Sequence, residues 1–343
     1  ELTVICGNNG QGKTNLLESV YMLAMGRSFR TRFDRELIGF GCDSAEILAD
    51  VVSHEREQTV RILLRSGVRK QITVNSVKKT ASELGETLNA VLFCPDDLNL
   101  IKEGAAARRR LMDNAISQIR PRYAEYLSQF NKFYESKTRI LKDWREKPSL
   151  LDTLDEFSDG MCRTSAQLIR YRASFAARLA DEAAPIHSEF SGADEKLGIE
   201  YSTVSAVKDP TASAKEIFYD LCDHMEAHRR AELDSGQCLS GAHKDDLIIS
   251  INGKNARSFA SQGQTRTAAL SIKLAEREIY LDETGEYPIL LLDDVLSELD
   301  TKRQEFVLNR IGGGQTLITC CEDEGISRRT GGKVLHVGNG RIG

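Results

Sequence analysis

Residues 7–14 read GNNGQGKT, a glycine-rich loop that ends in a lysine and a threonine. The loop matches the phosphate-binding pattern GxxxxGK[ST] and lies between an apolar run, Thr3–Cys6, and an amphipathic run, Thr14–Met25. Backbone N–H groups of such a loop surround phosphates, and the N-terminus of the following helix adds positive partial charge. The alternative, a glycine-rich turn that only caps a helix, is the weaker interpretation in this context. We therefore predict a nucleotide site formed by Gly7, Asn8, Asn9, Gly10, Gln11, Gly12, Lys13 and Thr14, with Lys13 on the outer phosphates and Thr14 on Mg²⁺.

A second candidate for chemistry is the apolar run from Pro288 that ends in Asp293 and Asp294. A carboxylate at the end of a buried parallel strand can hold Mg²⁺ through its water shell, and we assign this role to Asp293. Asp294 would polarise the attacking water. The alternative is a charged strand terminus without a role. Thr14 and Asp293 are 279 positions apart, a spacing that favours a nucleotide fold interrupted by an insertion over small P-loop GTPases and kinases.

A third candidate, Ser261-Gln262-Gly263-Gln264, precedes a predicted helix over Thr265–Leu281. It resembles the signature motif of ABC-type ATPases, in which a second subunit's serine and helix N-terminus meet the γ-phosphate. A Ser-Gln-Gly turn can also simply cap a helix, but the order and spacing of the three motifs favour the signature. Ser297–Asp300 likewise resembles the D-loop, which crosses the dimer interface in that family, and Cys320 falls near the usual position of a switch histidine. The resemblance implies that Ser261, Gly263, Gln264 and Asp300 contact ATP bound by a second copy.

The elements around these motifs predict an α/β fold split by a mostly helical lobe, and the resemblance implies that this fold is an ABC-type P-loop ATPase head. Short strands are predicted at 46–52, 59–64, 71–74 and 90–93. Apolar residues at helical spacing predict two long helices within 107–147 and 150–184, an antiparallel pair broken at Pro148-Ser149. Strand–helix–strand order returns from Leu247. The predicted head is 1–106 with 235–343, and the predicted lobe is 107–234.

Composition excludes several classes of protein. The chain has 343 residues and a net charge of −5, with 41% hydrophobic and 28% charged residues, which are ordinary globular values. No run approaches the roughly 18 apolar residues of a membrane-spanning helix. Eight cysteines without a CxxC pair fit neither a disulfide framework nor a zinc site, and they favour a reducing, cytoplasmic location. Because the chain lacks an initiator Met and opens inside a predicted strand, we expect its natural N-terminus to be missing.

Two basic stretches are candidate DNA contacts. Residues 27–35 interleave Arg27, Arg30 and Arg32 with phenylalanines, and Arg108-Arg109-Arg110 opens the segment 101–150, whose net charge is +6. A solvated helix face or an ion-pair cluster is an equal alternative for each stretch. Neither stretch contains a sequence-reading motif, so backbone and shape contacts are expected.

Three further features could be functional, but each also has an ordinary structural interpretation. His224 and His228 are spaced i, i+4 on a predicted helix, but no third ligand stands out, which favours an exposed helical face over a metal site. Cys320-Cys321 continue a predicted buried strand, which favours core packing over a redox pair. The charged segment Gly241–Asp246 fits either a turn or a contact at the nucleotide interface.

A set of seven motifs closely resembles the RecF family of bacterial recombination mediators. The motifs run in family order across essentially the whole chain: GNNGQGKTNLLE (7–18), GRSFRT (26–31), FCPDDLNLIKEG (93–104), RRRLMD (108–113), GAHKDDL (241–247), SQGQTRT (261–267) and LLLDDVLSELD (290–300). The strands that normally precede the P-loop strand are absent from this sequence. Asp294 also replaces the commoner glutamate and is one methylene shorter.

The resemblance implies an SMC- and Rad50-like head with a short helical lobe and no long coiled coil. It also implies ATP-dependent dimerisation on gapped or junction DNA, with slow, DNA-stimulated hydrolysis that acts as a switch. RecR and RecO are the implied partners for loading RecA in DNA repair, replication restart and the SOS response. Two alternatives stay open: a transporter-type ATPase subunit that engages a membrane partner, and a DNA-binding scaffold whose P-loop is structural.

Overall fold

The computed structural model describes residues 1–192, 194–321 and 331–343, and divides into two compact units. The first unit comprises residues 1–100, 185–195 and 261–343, and the second comprises 101–184 and 196–260. These boundaries differ from the predicted head and lobe at three places, the first being residues 101–106, which belong to the second unit. Residues 235–260 join the second unit because strand Asp246–Ile251 pairs antiparallel with Leu197–Ser202. Residues 185–195 join the first unit, where the ring of Phe190 packs edge-on against Phe306, with the ring centroids 4.5 Å apart.

The first unit is built on a six-stranded sheet of the order β13-β12-β1-β11-β10-β6. Every pairing in it is parallel except that of β12 with β13. The carboxyl ends of β1, β11 and β10 therefore lie side by side, which is where ligands bind in open α/β sheets. The strands of the described chain are β1 (Leu2–Cys6), β2 (Ser44–Ser53), β3 (Arg56–Arg65), β4 (Val68–Val74), β5 (Val77–Lys79), β6 (Ala90–Phe93), β7 (Leu197–Ser202), β8 (Asp246–Ile251), β9 (Lys254–Asn255), β10 (Ile289–Asp293), β11 (Thr316–Cys320), β12 (Lys333–Gly338) and β13 (Arg341–Ile342).

Strands β2–β5 form a separate antiparallel sheet in the first unit. Alternate residues of β3, namely Val60, Ile62 and Leu64, are buried, and they join one hydrophobic core with residues of β1 and of the first helix. The helices are α1 (Lys13–Met25), α2 (Ala105–Ile119), α3 (Pro121–Asp143), α4 (Leu154–Ser191), α5 (Ala214–Ala227), α6 (Arg229–Ser235), α7 (Ala256–Phe259), α8 (Gln262–Thr284) and α9 (Thr301–Arg310). Among the described helices, none is long and apolar enough to cross a membrane.

The second unit is mainly helical. Helices α3 and α4 run antiparallel, because Phe133 meets Phe157 near the connection while Tyr123 meets Tyr171 far from it. The predicted break at Pro148-Ser149 coincides with a short 3₁₀ helix, Pro148–Thr153.

A buried polar cluster crosses the second unit. The guanidinium of Arg172, 2% exposed, donates to Asp113 Oδ1 at 2.8 Å and to Asp245 Oδ2 at 2.6 Å. Asp245 is fully buried and also accepts hydrogen bonds from Tyr201 and Thr203. Breaking a buried pair of this kind by removing one partner costs about 3–5 kcal/mol. Asp245 of the segment Gly241–Asp246 is therefore part of the internal structure of this unit.

Candidate nucleotide site

The glycine-rich loop follows β1 and leads directly into α1, as the sequence pattern predicts. Gly7 has no room for a side chain, since a Cβ there would lie 2.2 Å from the carbonyl oxygen of Val337. The loop is also fastened to the turn between β12 and β13, where Gln11 accepts hydrogen bonds from the backbone N–H groups of Asn339 (2.5 Å) and Gly340 (3.1 Å). The end of β12 and the turn after it therefore constrain the shape of the loop.

Lys13 lies inside this loop. Its side chain is 7% exposed, and Nζ donates to the carbonyl oxygens of Gly7 at 2.6 Å and Asn8 at 3.2 Å. The ammonium group is consequently held across the loop at the N-terminus of α1. Positive charge and helix N–H groups converge here, which suits the terminal phosphates of a nucleotide.

Thr14 and Asp293 meet at this edge of the sheet despite their separation in sequence. Thr14 Oγ1 donates to Asp293 Oδ1 at 3.0 Å. Thr319, at the end of β11, donates to the same Oδ1 at 2.9 Å. A hydroxyl and a carboxylate beside a phosphate loop are oxygen ligands of the kind that Mg²⁺ takes, directly or through water. The residues therefore fit a magnesium–nucleotide site.

Asp294 adopts a left-handed backbone conformation with φ of +53°. This conformation is uncommon outside glycine, although aspartate tolerates it better than most residues. The backbone N–H of Asp294 donates to Thr319 Oγ1 at 2.9 Å, and Ser297 Oγ donates to the Asp294 carbonyl oxygen at 2.6 Å. Asp294 is thus turned out of the strand and fixed from two sides.

Thr319 was missed by the sequence analysis, although it contacts both predicted carboxylate residues. Its hydroxyl donates to the side chain of Asp293 and accepts from the backbone of Asp294. The sequence shows only a threonine in an apolar strand, and its contacts depend on the pairing of β10 with β11.

The signature-like residues form a second cluster in the first unit. Ser261 is the N-cap of α8, and its Oγ accepts a hydrogen bond from the backbone N–H of Gln264 at 3.2 Å. Gly263 follows in the first turn. Ser261 is exposed and lies at a helix N-terminus, an arrangement that fits both the signature prediction and the alternative of a simple helix cap.

Arg303 joins the signature-like segment to the D-loop-like segment, and no sequence motif pointed to it. Its guanidinium donates to the carbonyl oxygen of Gly263 at 3.2 Å and to Thr267 Oγ1 at 3.0 Å, and it pairs with Asp300. The backbone N–H of Arg303 lowers the pKa of Asp300, whose side chain caps α9. Gly263 and Asp300 are therefore linked within one chain.

The two cysteines near the expected switch position have different surroundings. Cys320 is buried, and its Sγ lies 3.3 Å from Sγ of Cys6 on the neighbouring strand. The exposed Cys321 instead reaches the loop, where its thiol donates to Asn9 Oδ1 at 3.0 Å and lies 4.0 Å from Lys13 Nζ. β11 ends at Cys320, whose side chain is buried, and the next residue is the one that contacts the loop.

The two basic stretches differ in their surroundings. Arg108 is 4% exposed, and it binds Asp246 through two nitrogens at 2.6 and 2.9 Å. It therefore has a structural role, and its assignment as a DNA contact is withdrawn. Arg109 donates to the Asp245 carbonyl oxygen, while Arg110 is exposed.

The first basic stretch stays at the surface. Arg27, Arg30 and Arg32 are all exposed. Arg30 also donates to Asn15 Oδ1 at 2.8 Å and pairs with Glu18 on α1 at 3.4 Å, which ties this stretch to the helix that leaves the loop.

The histidine pair has local partners. The rings of His224 and His228 stack 4.0 Å apart. Their Nδ1 atoms face Ser240 Oγ and the His224 carbonyl oxygen. Across residues 1–192, 194–321 and 331–343, no group of three or more His, Cys, Asp or Glu side chains is placed to hold a metal.

Known proteins match nearly the whole chain. A family model described as the RecF/RecN/SMC N-terminal domain matches residues 1–331. The DNA replication and repair protein RecF of Lactobacillus johnsonii is 40% identical, with 99% of this chain and 92% of the relative covered. The protein of the same name from Acetivibrio thermocellus is 38% identical, with 98% and 91% covered.

Solved structures agree with these sequence relatives. A structure of the recombination mediator protein RecF-ATP in the RecFOR pathway has a TM-score of 0.90 at 32% identity, and covers 100% of this chain and 91% of its own. An Smc head domain of Pyrococcus furiosus has a TM-score of 0.53 at 16% identity, covers 99% and 88%, and supports the fold alone.

Proposed function

Because the chain belongs to the RecF family, we propose that it is an ATP-dependent DNA-binding protein of DNA replication and recombinational repair. The single observation that carries the proposal is the contact of Thr14 with Asp293, which unites the phosphate loop and the acidic strand end in one site. ATP with Mg²⁺ is the ligand that this donor set favours. A relative of similar length is described with ATP, which supports the choice of nucleotide.

Each residue of this site has its own proposed role. Lys13 and the loop N–H groups bind and orient the phosphates, Thr14 and Asp293 would hold Mg²⁺, and Asp294 would position a water molecule. Mg²⁺, when bound, would neutralise charge on the phosphates. The conformation of Asp294 is fixed from the backbone, so its short side chain has limited reach, which suits slow hydrolysis in a switch.

We propose that the signature-like cluster acts on ATP bound by a second copy. Ser261, Gly263, Gln264 and Asp300 would close over the partner's nucleotide, so that ATP joins two heads around DNA. The exposed Arg27, Arg30, Arg32 and Arg110 are the proposed DNA contacts, and the partly buried Arg109 is a weaker candidate. The proposal further includes gapped or junction DNA as the DNA that is bound, RecR and RecO as partners, and a cytoplasmic location. The process it assigns is the loading of RecA in repair, replication restart and the SOS response. These parts of the proposal rest on the family and on the similarity to a recombination mediator of the RecFOR pathway.

Sedimentation velocity tests this function directly. The protein is measured with and without Mg-ATP, each with and without gapped duplex DNA. We expect a monomer-to-dimer shift that requires ATP and is strengthened by DNA. A monomer in all four conditions would contradict the ATP-bridged dimer. DNA binding that is unchanged by ATP would favour the scaffold alternative, and association with a membrane protein in place of DNA would favour the transporter alternative.

The role of Thr319 provides a second prediction. Thr319→Val keeps the shape of the side chain but removes the hydroxyl that orients Asp293 and the Asp294 backbone. Leaving a buried N–H group without its partner costs about 1–3 kcal/mol. We expect kcat for ATP hydrolysis to fall at least about tenfold with little change in KM, and Thr319→Ser to restore most of it.

The same strand supplies the matched control. Thr316 is 1% exposed, and its Oγ1 has no hydrogen-bond partner within the part of the chain that the structure describes. Thr316→Val should therefore leave steady-state hydrolysis near the wild-type rate. Equal losses in the two valine variants would assign the effect to the strand and would contradict a specific role for Thr319.

A further inference from the structure

The amide of Gln264 is bound at both ends. Its Nε2 donates to Glu195 Oε1 at 2.7 Å, and its Oε1 accepts from the backbone N–H of Ser261 at 2.9 Å. A glutamine amide has one donor end and one acceptor end, so these two contacts fix which way the group faces. Glu195 selects the orientation because a carboxylate only accepts hydrogen bonds.

The orientation of Gln264 sets the geometry of Ser261. The two residues form a reciprocal capping box, since Ser261 Oγ also accepts from the backbone N–H of Gln264 at 3.2 Å. This bond uses a lone pair of the hydroxyl oxygen, so the hydroxyl hydrogen points away from the helix. Ser261 can then donate to an acceptor in front of α8.

The ring of His187 lies beside the carboxylate of Glu195. His187 is fully buried, with Nε2 lying 3.3 Å from Glu195 Oε2 and Nδ1 lying 3.4 Å from Ser271 Oγ. Ser271 follows Gln264 by two turns, and both residues therefore lie on one face of α8. Burial lowers the pKa of His187, so the ring is neutral near neutral pH. The ring therefore lies against Oε2 of the carboxylate, while Oε1 accepts the hydrogen bond from Gln264.

We propose that Glu195 is a positioning residue for the signature-like motif and, through Gln264 and Ser261, sets how tightly one head closes on ATP bound by the second copy. The inference rests on the proposed ATP-dependent dimer and deepens it. It assigns part of the dimer affinity to a side chain outside every motif found in the sequence. The residues of the P-loop have no part in it, so ATP binding to a single head is separable from closure.

Glu195→Ala tests the proposal through two separate measurements. Equilibrium binding of ATP to dilute monomer should stay within about twofold of wild type. The dissociation constant of the ATP-bound dimer should rise about 10–100-fold, because both copies of the motif in a two-fold dimer lose the carboxylate that orients Gln264. The matched control is Glu189→Ala, which removes a neighbouring exposed carboxylate that pairs with Arg310 and should leave both constants unchanged.

Two further variants distinguish positioning from simple loss of stability. Glu195→Gln retains an acceptor for Gln264 and should restore most of the dimer affinity. In the Gln264→Ala background, Glu195→Ala should add little, since the two residues act through one bond. Additive losses, a wild-type dimer constant for Glu195→Ala, or no rescue by Glu195→Gln would each overturn the inference. Failure of the wild-type protein to dimerise with ATP would instead reject the proposed function.

Discussion

Replacing Lys13 by methionine is expected to abolish ATP binding at concentrations that saturate the wild-type protein. Methionine is similar in length and apolar, so it can fill the space of a side chain that is only 7% exposed. It removes a positive charge and all three donors, which now contact the loop at Gly7 and Asn8. If the ammonium makes two charge-assisted contacts with the terminal phosphates, of about 1.5–3 kcal/mol each, their loss corresponds to a fall in ATP affinity of at least about 100-fold. Isothermal titration calorimetry with Mg-ATP measures the loss.

A lysine elsewhere in the first unit controls for the chemistry of the substitution. Lys78 is exposed on β5, away from the loop, and Lys78→Met should bind ATP as wild type does. Circular dichroism should show the same helix content in both variants. Retention of wild-type affinity by Lys13→Met would reject the assignment of residues 7–14 as the nucleotide site, whatever the family of the chain.

The nucleotide site was predictable because its parts are local or lie at strand ends. The glycine-rich motif determines the backbone conformation of its loop. The apolar patterns predicted β1, β10 and α1 with bounds close to those observed. Parallel strands then bring Thr14 and Asp293 together without further information. The family resemblance supplied the signature and D-loop assignments, which periodicity alone would have left as helix caps.

The residues that were missed act through contacts that have no sequence pattern. Thr319 depends on strand pairing, and Arg303 and Glu195 depend on how α8, α9 and residues 185–195 of the first unit pack. Arg108 was assigned to DNA because charge in a sequence does not reveal burial, and its partner Asp246 lies 138 positions away. The sequence also did not show that Cys320 is buried while Cys321 contacts the loop, because the direction of a side chain at a strand end depends on where the strand stops.

Replacing Ser261 by arginine is expected to leave ATP binding to the monomer intact and to abolish ATP-dependent dimerisation. The serine is the N-cap of α8, and arginine there introduces a long side chain where the partner's nucleotide would be enclosed. It also removes the cap hydrogen bond, which costs about 1 kcal/mol of folding stability. Sedimentation velocity with Mg-ATP should show only monomer, while calorimetry on dilute protein shows wild-type affinity for ATP.

Ser213→Arg separates the two effects of that substitution. Ser213 caps α5 with the same reciprocal arrangement, and its Oγ accepts from the Glu216 N–H at 3.2 Å, the distance found at Ser261. Both arginine variants should lose similar stability in urea, yet only Ser261→Arg should fail to dimerise. Normal dimerisation of Ser261→Arg would show that ATP is enclosed by other residues. Failure of both variants would trace the loss to helix capping, because α5 belongs to the second unit and has no place in the proposed closure.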